Sequence, residues 1–277
     1  MSRDDLKGNL HQSKLREDTL DSVTQQTRIW QEIPSTDNSY QVDDVFCCGY
    51  NLFELAKHCS YEEAIFLLFR GELPSEKEKV LFRRLLILFI NPGPRHPATR
   101  AGVTAAASMT YHEHLVPIIS AAFGGRRGGA GRLVECMALL DESESLSPEE
   151  LLHKLAPSDL HDDSSCLPGV GSEYGSADNW TKKLLNHFSD EFDEYPQFAR
   201  LEKVDDLLRA KTGAAFGLMP EMIVACAFKL LGIRRAQATG LYQLVALPGM
   251  FAHAAEYVEK PANSLPFIKD EHYVIEY

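Results

Sequence analysis

Residues 49–78 read GYNLFELAKHCSYEEAIFLLFRGELPSEKE, and this stretch contains two complete helix starts. Ser60 is followed three residues later by Glu63, and Ser75 is followed by Glu78 at the same spacing. A serine with a glutamate three positions on is the capping-box pattern of a helix N-terminus. The apolar residues after Ser60 recur at helical spacing up to Gly71, a typical helix end. The stretch therefore predicts two successive amphipathic helices.

The sequence on either side of this stretch indicates a mainly α protein. Residues 27–45 mix β-branched and aromatic side chains with turn formers, and this is the only place where we expect sheet, as a short N-terminal β segment. Further helices are predicted over residues 180–188, 198–209, 214–231 and 236–258. Many helices with one short β segment make a mainly α fold.

Composition limits the classes of function. The chain has 277 residues, 44% of them hydrophobic, which is enough to bury a full core. Its formal net charge of -12 argues against nucleic acid as a partner, because phosphates would be repelled. No apolar run approaches the roughly 20 residues of a membrane span. Residues 1–26 are polar, without the apolar core of a secretory signal, so we expect a mobile N-terminal arm and a cytoplasmic protein.

The six cysteines show no CxxC spacing. They predict reduced buried thiols rather than a disulfide framework or a zinc site, and we expect no metal.

A second notable stretch covers residues 120–140, SAAFGGRRGGAGRLVECMALL, where four glycines surround Arg126 and Arg127. Two interpretations are open. Backbone N–H groups at a helix start, with guanidinium groups beside them, can bind a carboxylate or a phosphate. Alternatively, the glycines simply allow a tight corner between closely packed helices. The stretch matches neither the Walker A pattern nor GxGxxG after a strand.

Residues 49–78 resemble the citrate synthase superfamily, whose members share the pattern GY-x-L-x-EEV-x-x-LL-x-GELP-x-x-E. Other parts of the chain have counterparts in the same order: an Arg95-His96-Pro97 turn, the glycine stretch, a GxG loop at Gly169 to Gly171, and a terminal PGMFAHAAEYVE helix. Within the superfamily, GGRRGGA is more similar to citryl-CoA lyase and the C-terminal module of ATP-citrate lyase, because Arg127 replaces the histidine of ordinary citrate synthases.

The resemblance implies a citrate synthase-like fold with a large helical domain at residues 27–131 plus 244–277 and a small helical domain at 132–243. It also implies a dimer with its active site in the cleft between the domains. The implied chemistry joins an acyl-CoA to a 2-oxo acid, as in an acyltransferase, or cleaves the product, as in a lyase. A CoA ester is then a substrate, and no tightly bound cofactor is expected.

The resemblance also implies site residues. His96, Ser172 and Glu173 are the candidate catalytic residues. The candidate ligand-binding residues, which would hold a small carboxylate, are Arg95, Arg126, Arg127, Gly128, Gly129, Gly169 and Gly171.

Several positions depart from the family pattern. Ser172 and Glu173 replace a histidine and an arginine of the GxGHR loop. Residues 211–213, Lys-Thr-Gly, stand where the family has NVD with its catalytic aspartate, and Ala246 replaces a carboxylate-binding arginine. Lys182 and Lys183 are the basic residues nearest to the GxG loop that could bind the phosphates of CoA.

Two functions therefore remain open. The first is an enzyme of citrate synthase or citryl-CoA lyase type with a rebuilt site. The alternative is a catalytically inactive homologue, a pseudoenzyme that acts as a regulatory or structural subunit or as a module binding a tricarboxylate or an acyl-CoA. The expected partners are a second copy of the chain or a citrate synthase-like paralogue, with no nucleic acid and no membrane.

Overall fold

A computed structural model of the protein describes residues 26–126, 128–155, 168–172, 175–260, 262–266 and 268–275. The predicted N-terminal arm, apart from Gln26, therefore lies outside the described residues, as do Arg127 and Glu173.

The fold is mainly α, with a short N-terminal sheet, as predicted from the sequence. The described residues form eleven α-helices: α1 (Leu52–His58), α2 (Tyr61–Arg70), α3 (Glu76–Leu88), α4 (Pro97–Ala107), α5 (Leu115–Phe123), α6 (Leu133–Glu142), α7 (Pro148–Leu155), α8 (Asn179–Glu191), α9 (Pro196–Thr212), α10 (Pro220–Leu230) and α11 (Arg235–Ala255). The strands are β1 (Trp30–Pro34), β2 (Val42–Cys47), β3 (Tyr50–Asn51), β4 (Val170–Gly171) and β5 (Gly217–Leu218). Among the helices described, none has the length and apolar character needed to cross a membrane.

The chain divides into two compact units, one ending at Arg83 and the other beginning at Arg84, so the division falls within α3. This division follows compactness alone. The predicted large domain (27–131 plus 244–277) and small domain (132–243) stay a prediction.

The first unit contains the N-terminal sheet. Strands β1, β2 and β3 pair antiparallel in that order. Cys48 and Gly49, both with positive φ (50° and 84°), form the two-residue turn between β2 and β3. Such a turn matches the twist of the paired strands. The sheet therefore reaches Asn51, beyond the predicted segment at 27–45.

The helices of the first unit begin as the capping pattern predicts. Glu63 accepts hydrogen bonds from the Ser60 N–H (2.9 Å) and the Ser60 hydroxyl (2.7 Å) at the start of α2. Gly71 ends α2 in the left-handed conformation. The Phe66 and Phe82 rings, one on α2 and one on α3, pack edge to face. The sequence-derived pair of helices is confirmed.

The second unit is built from helices that approach one another closely. Helices α4, α5 and α11 pack together, and α10 packs against α6. A Cβ on Gly102 of α4 would lie 2.7 Å from Cδ1 of Ile119, so only glycine allows this approach without rearrangement. Within α11, Pro248 lacks a backbone donor, and the next N–H, that of Gly249, donates to the Ile90 carbonyl (3.1 Å).

A two-stranded ribbon of β4 and β5 also lies in the second unit. The expectation of sheet only near the N-terminus is therefore wrong. The helix predicted over 214–231 is wrong at its beginning, because β5 occupies Gly217–Leu218 and α10 starts at Pro220. Proline at a first helical position is favoured, since its missing N–H would have no helical partner there.

Candidate active site

The chain turns tightly after α5, between Gly124 and Gly131, and we call this turn the glycine corner. Gly128 has a φ of 62°, a conformation that favours glycine. A Cβ on Gly129 would press into the carbonyl oxygen of Phe123 and lie 2.9 Å from that of Gly125. A Cβ on Gly131 would lie 2.6 Å from the Gly125 carbonyl oxygen. These glycines are needed because the chain folds back on the end of α5, which supports the corner interpretation.

His96 holds this corner in place. It caps the N-terminus of α4, where its Nδ1 accepts a hydrogen bond from the Ala98 N–H (3.1 Å). An accepting Nδ1 carries no proton, so the ring proton is on Nε2, which donates to the Gly128 carbonyl (2.8 Å). The ring also packs against Phe123, with 5.3 Å between centroids. Both ring nitrogens of His96 are thus bonded within the protein, and a catalytic role for this histidine stays a prediction.

Two of the predicted arginines, Arg95 and Arg126, lie at the surface. Arg126 is exposed, and its guanidinium donates to both carboxylate oxygens of Glu135 at 2.9 and 3.2 Å. Glu135 also lies 3.6 Å from Nε of Arg132. Arg95 is exposed beside His96. An anion near Arg126 would therefore compete with the Glu135 carboxylate, which already pairs with Arg126 and Arg132.

The GxG loop packs against α6 and α10. A Cβ on Gly169, which has a φ of 78°, would press into Cε of Met222 and lie 3.2 Å from the Cys136 sulfur. A Cβ on Gly171 would lie 3.1 Å from the Met219 sulfur. These two glycines therefore bring the β4–β5 ribbon into contact with α6, the helix that follows the glycine corner.

Ser172 follows this ribbon and points into the protein. It is only 8% exposed, and its hydroxyl oxygen has no hydrogen-bond partner among the residues that the structure describes. A buried hydroxyl without a partner carries a free-energy cost that a bound polar group can remove. Glu173, the other catalytic candidate of this loop, lies outside the described residues.

Glu221 is a buried carboxylate that the sequence analysis missed. It is 4% exposed, at the second position of α10, and begins a run of eight buried residues that ends at Phe228. The Met219 N–H donates to the Gly169 carbonyl (2.9 Å), which places this helix start against the GxG loop. Burial, and next the charge of Glu221, raise the pKa of the Cys136 thiol well above its usual range. Glu221 therefore lies at a helix start that bonds the GxG loop, and its charge acts on Cys136 of α6.

Glu221 stands in the first turn of α10, where the positive end of the helix dipole lies. The sequence analysis looked for the carboxylate at residues 211–213 instead. In the structure, Lys211 and Thr212 end α9 and Gly213 is its left-handed cap. The available signal was one acidic residue within the apolar run MPEMIVACAF.

Asp205, the other buried acid among the described residues, has a structural role. It is 1% exposed and accepts hydrogen bonds from Nε of Arg209 (2.7 Å) and from the Leu218 N–H (2.8 Å). It thereby ties α9 to strand β5. Nearby, Nζ of Lys182 lies 2.6 Å from a carboxylate oxygen of Asp206, so this candidate for gripping CoA phosphates already has an acidic partner.

No group of three or more His, Cys, Asp or Glu side chains is arranged to hold a metal ion within the described part of the chain.

Neither a protein-family model nor a curated protein matches the sequence. Solved structures do match. The citryl-CoA lyase from Hydrogenobacter thermophilus superposes with a TM-score of 0.71 and 23% sequence identity, over 91% of this chain and 94% of that chain. The ATP citrate lyase from Methanothrix soehngenii, in complex with citrate and coenzyme A, has a TM-score of 0.67 and 15% identity, over 92% of this chain and 44% of that chain. Citrate synthase from Thermotoga maritima has a TM-score of 0.55 and 14% identity, over 95% and 98%. The chain has the citrate synthase fold.

In this citrate synthase fold, four chain segments of the second unit are joined by direct contacts in two pairs, His96 with the glycine corner and the GxG loop with the start of α10. Cys136 of α6, the helix that follows the corner, lies beside Gly169. The four segments are the start of α4 with His96, the glycine corner, the GxG loop with Ser172, and the start of α10 with Glu221. Three of these segments follow from the sequence resemblance. The fourth, α10, is brought to the site by the β4–β5 ribbon.

Proposed function

We propose that this protein, with its citrate synthase fold, is an enzyme of citryl-CoA lyase or citrate synthase type that uses Glu221 as its carboxylate base. The observation that carries the proposal is the buried position of Glu221 beside the GxG loop. A buried, positioned carboxylate is the group that removal of a proton next to a thioester carbonyl requires. In this proposal, Glu221 takes the role of the catalytic aspartate that the family pattern has where this chain has residues 211–213.

In the condensing direction, Glu221 takes the proton from the carbon next to the thioester carbonyl of an acyl-CoA. The resulting enolate carbon attacks the ketone carbon of a 2-oxo acid, and the ketone oxygen takes up a proton. In an enzyme of citrate synthase type, water then cleaves the thioester of this product, which releases CoA as the free thiol and leaves a carboxylate. In the cleaving direction, the alcohol loses its proton, the same carbon–carbon bond breaks, and Glu221 returns the proton to the enolate. Both directions need hydrogen-bond donors for the oxygen that becomes negative.

The glycine corner is proposed to hold the carboxylates of the ligand. Arg126 and Arg127, with Arg95 beside His96, supply the positive charge, and arginine binds carboxylates through two parallel hydrogen bonds. Ser172, whose buried hydroxyl has no described partner, is proposed to donate to the same ligand. We further propose that the protein acts as a dimer, of itself or with a citrate synthase-like paralogue.

The test is turnover by the wild-type protein and by Glu221→Gln. The first assay follows thiol release from acetyl-CoA with oxaloacetate, and the second follows oxaloacetate release from citryl-CoA. We expect Glu221→Gln to lower kcat by about 10²- to 10⁴-fold in whichever assay shows turnover, because proton transfer by a positioned group contributes about this factor. The matched control is Glu142→Gln, an exposed glutamate that pairs with Lys154 on the surface.

Equal activity of Glu221→Gln and wild type would refute the role of Glu221. A wild-type protein without turnover in either assay would favour the inactive homologue. The engagement of both His96 nitrogens within the protein supports that alternative. In that case we expect citrate or a CoA ester to raise the melting temperature without being converted, because a ligand that binds only the folded state stabilises it.

A further inference from the structure

A cavity lies between α6, α9 and α10, at the opposite ends of α6 and α10 from the candidate active site. This cavity has a volume of about 280 Å³. Its walls are the end of α6 with Leu140, the first turns of α9 with Gln197 and Arg200, and the second half of α10 with Cys226 and Lys229. At 1.5 Å per residue, the eight residues from Glu221 to Lys229 span about 12 Å of α10. The cavity is thus separate from the candidate active site.

The floor of the cavity is apolar. Leu140, Leu201 and Cys226 line it and are all buried. Burial raises the pKa of the Cys226 thiol to about 12, so the thiol is protonated and uncharged at neutral pH. A floor of this kind stabilises a hydrocarbon group and gives no partner to a charged one.

The mouth of the cavity carries positive charge. The Arg200 guanidinium donates to the main-chain carbonyls of Ser143 and Glu144, and no carboxylate pairs with it among the residues that the structure describes. The carbonyl oxygens bind its two terminal nitrogens but leave the buried Nε without a described partner and the charge without a counter-ion. Lys229, also at the mouth, lies 2.6 Å from a carboxylate oxygen of Asp141.

Asp141 is shared, because Arg235 pairs with its other carboxylate oxygen. Lys229 and Arg235 therefore share one carboxylate, and Arg200 has no carboxylate partner among the described residues, although the acidic residue Glu144 also lines the cavity. The first turn of the 17-residue helix α9 adds the positive end of a helix dipole. A carboxylate bound at the mouth would supply the counter-ion that Arg200 lacks.

We propose that this cavity binds a small monocarboxylate with an apolar body, whose carboxylate is held by Arg200 and Lys229 and whose body lies on the floor of Leu140, Leu201 and Cys226. Its volume equals about nine water molecules at roughly 30 Å³ each, which suits a benzoate-sized or branched-chain acid. The site is independent of the chemistry proposed at Glu221.

The experiment measures binding of benzoate by titration calorimetry, with benzamide as the uncharged probe of the same shape. Methyl resonances of labelled leucines report the place of binding. We expect benzoate to bind and to shift the signals of Leu140, Leu201 and Leu230, and benzamide to bind at least 10-fold more weakly. Arg200→Gln should weaken benzoate binding at least 10-fold. Lys203→Gln, which removes a positive charge from an exposed position of the same helix, should leave it within 2-fold.

Gln197→Trp tests the same site without touching a buried group, because Gln197 is exposed at the mouth. A tryptophan there should block entry and abolish benzoate binding while the melting temperature of the ligand-free protein stays unchanged. The proposal is overturned if benzoate does not bind, if benzamide binds equally well, or if Gln197→Trp binds benzoate as wild type does. It is also overturned if a folded Arg200→Gln protein keeps the wild-type affinity.

Discussion

Gly129 lies where the chain turns back on the end of α5, and a single added carbon there would meet two main-chain carbonyl oxygens. Because main-chain atoms cannot move aside as a flexible side chain can, we expect Gly129→Ala to lower the free energy of unfolding by about 1–3 kcal/mol. Urea denaturation followed by circular dichroism measures this change.

Gly240 is the matched control for this substitution. It is exposed in the interior of α11, and a Cβ built there has no atom within 4 Å. Gly240→Ala should raise the free energy of unfolding by about 0.5–1 kcal/mol, because alanine loses less conformational freedom in a helix. Equal effects of the two substitutions would contradict this account of the corner.

At the residue scale, the sequence predicted hydrogen bonds between neighbouring residues, but it did not predict which acidic side chain is buried. The serine and glutamate of each capping box are three positions apart, so their contact is a property of the local chain, and Ser60 with Glu63 forms it as predicted. Glu221 was missed because its importance lies in being buried against a loop that is distant in sequence. No local pattern distinguishes such a glutamate from one at the surface.

The carboxyl group of Glu63, at the start of α2, makes the stability of the folded protein depend on pH. Burial acts to raise the pKa of Glu63, but hydrogen bonds from the Ser60 N–H and hydroxyl and the ion pair with Lys79 outweigh it, so the pKa is lowered. A carboxyl with a lowered pKa in the folded state stabilises that state above its unfolded pKa of about 4.3. This contribution is lost as the pH falls through the folded pKa.

We therefore expect the wild-type protein to have a higher urea midpoint than Glu63→Gln above pH ~5, and the difference to shrink as the pH is lowered towards ~3. Urea titrations at several pH values measure it. Glutamine keeps a side-chain acceptor for the Ser60 N–H, so the variant removes the charge and little else. A difference that stays constant over this range would contradict the assignment.

The β4–β5 ribbon depends on Asp205, which links α9 to the N–H of Leu218. Asp205→Ala leaves Nε of Arg209 and this N–H without their acceptor and removes the charge that pairs with the guanidinium, which keeps its bond to the Asp178 carbonyl. We expect it to lower the free energy of unfolding by about 3–5 kcal/mol, as removal of one partner of a buried ion pair does. Thermal and urea unfolding measure the loss.

The neighbouring Asp206 provides the comparison, because its carboxylate is exposed and pairs with Lys182. Asp206→Ala should change the free energy of unfolding by less than about 1 kcal/mol, the range of surface ion pairs. If both alanine variants are equally stable, Asp205 does not hold the ribbon.

At the element scale, the helices were largely predictable and the ribbon was not. Helices repeat their apolar residues at short spacing, and their ends carry caps, so α2 and α3 follow from residues 49–78. The two strands of the ribbon are two residues long, and all of α8 and α9 lies between them in the sequence. Their pairing depends on the packing of these helices, which no local pattern records. As a result, residues 217–218 were assigned to a helix.

At the scale of the whole molecule, the predicted dimer gives a direct measurement. The chain has a mass of 31.0 kDa, so a dimer has twice that mass, about 62 kDa. Large apolar side chains at the surface are consistent with association; on α11, for example, Leu244 is 53% exposed. Light scattering after gel filtration at micromolar concentration should give the dimer mass.

A mass of 31.0 kDa in that experiment would contradict the dimer unless a paralogue is required. Co-purification from the native source, followed by mass spectrometry, distinguishes a heteromer from a monomer.

The ribbon between β4 and β5 also sets the order in which the chain can acquire its site. Helices of the second unit that precede the GxG loop, such as α4, α5 and α6, are synthesised well before α10. Pairing of strands that are distant in the sequence is slow compared with local helix formation. In refolding, helical circular dichroism should therefore recover before ligand binding does. On the ribosome, the residues of the glycine corner are therefore synthesised well before Glu221, the proposed base of the same site.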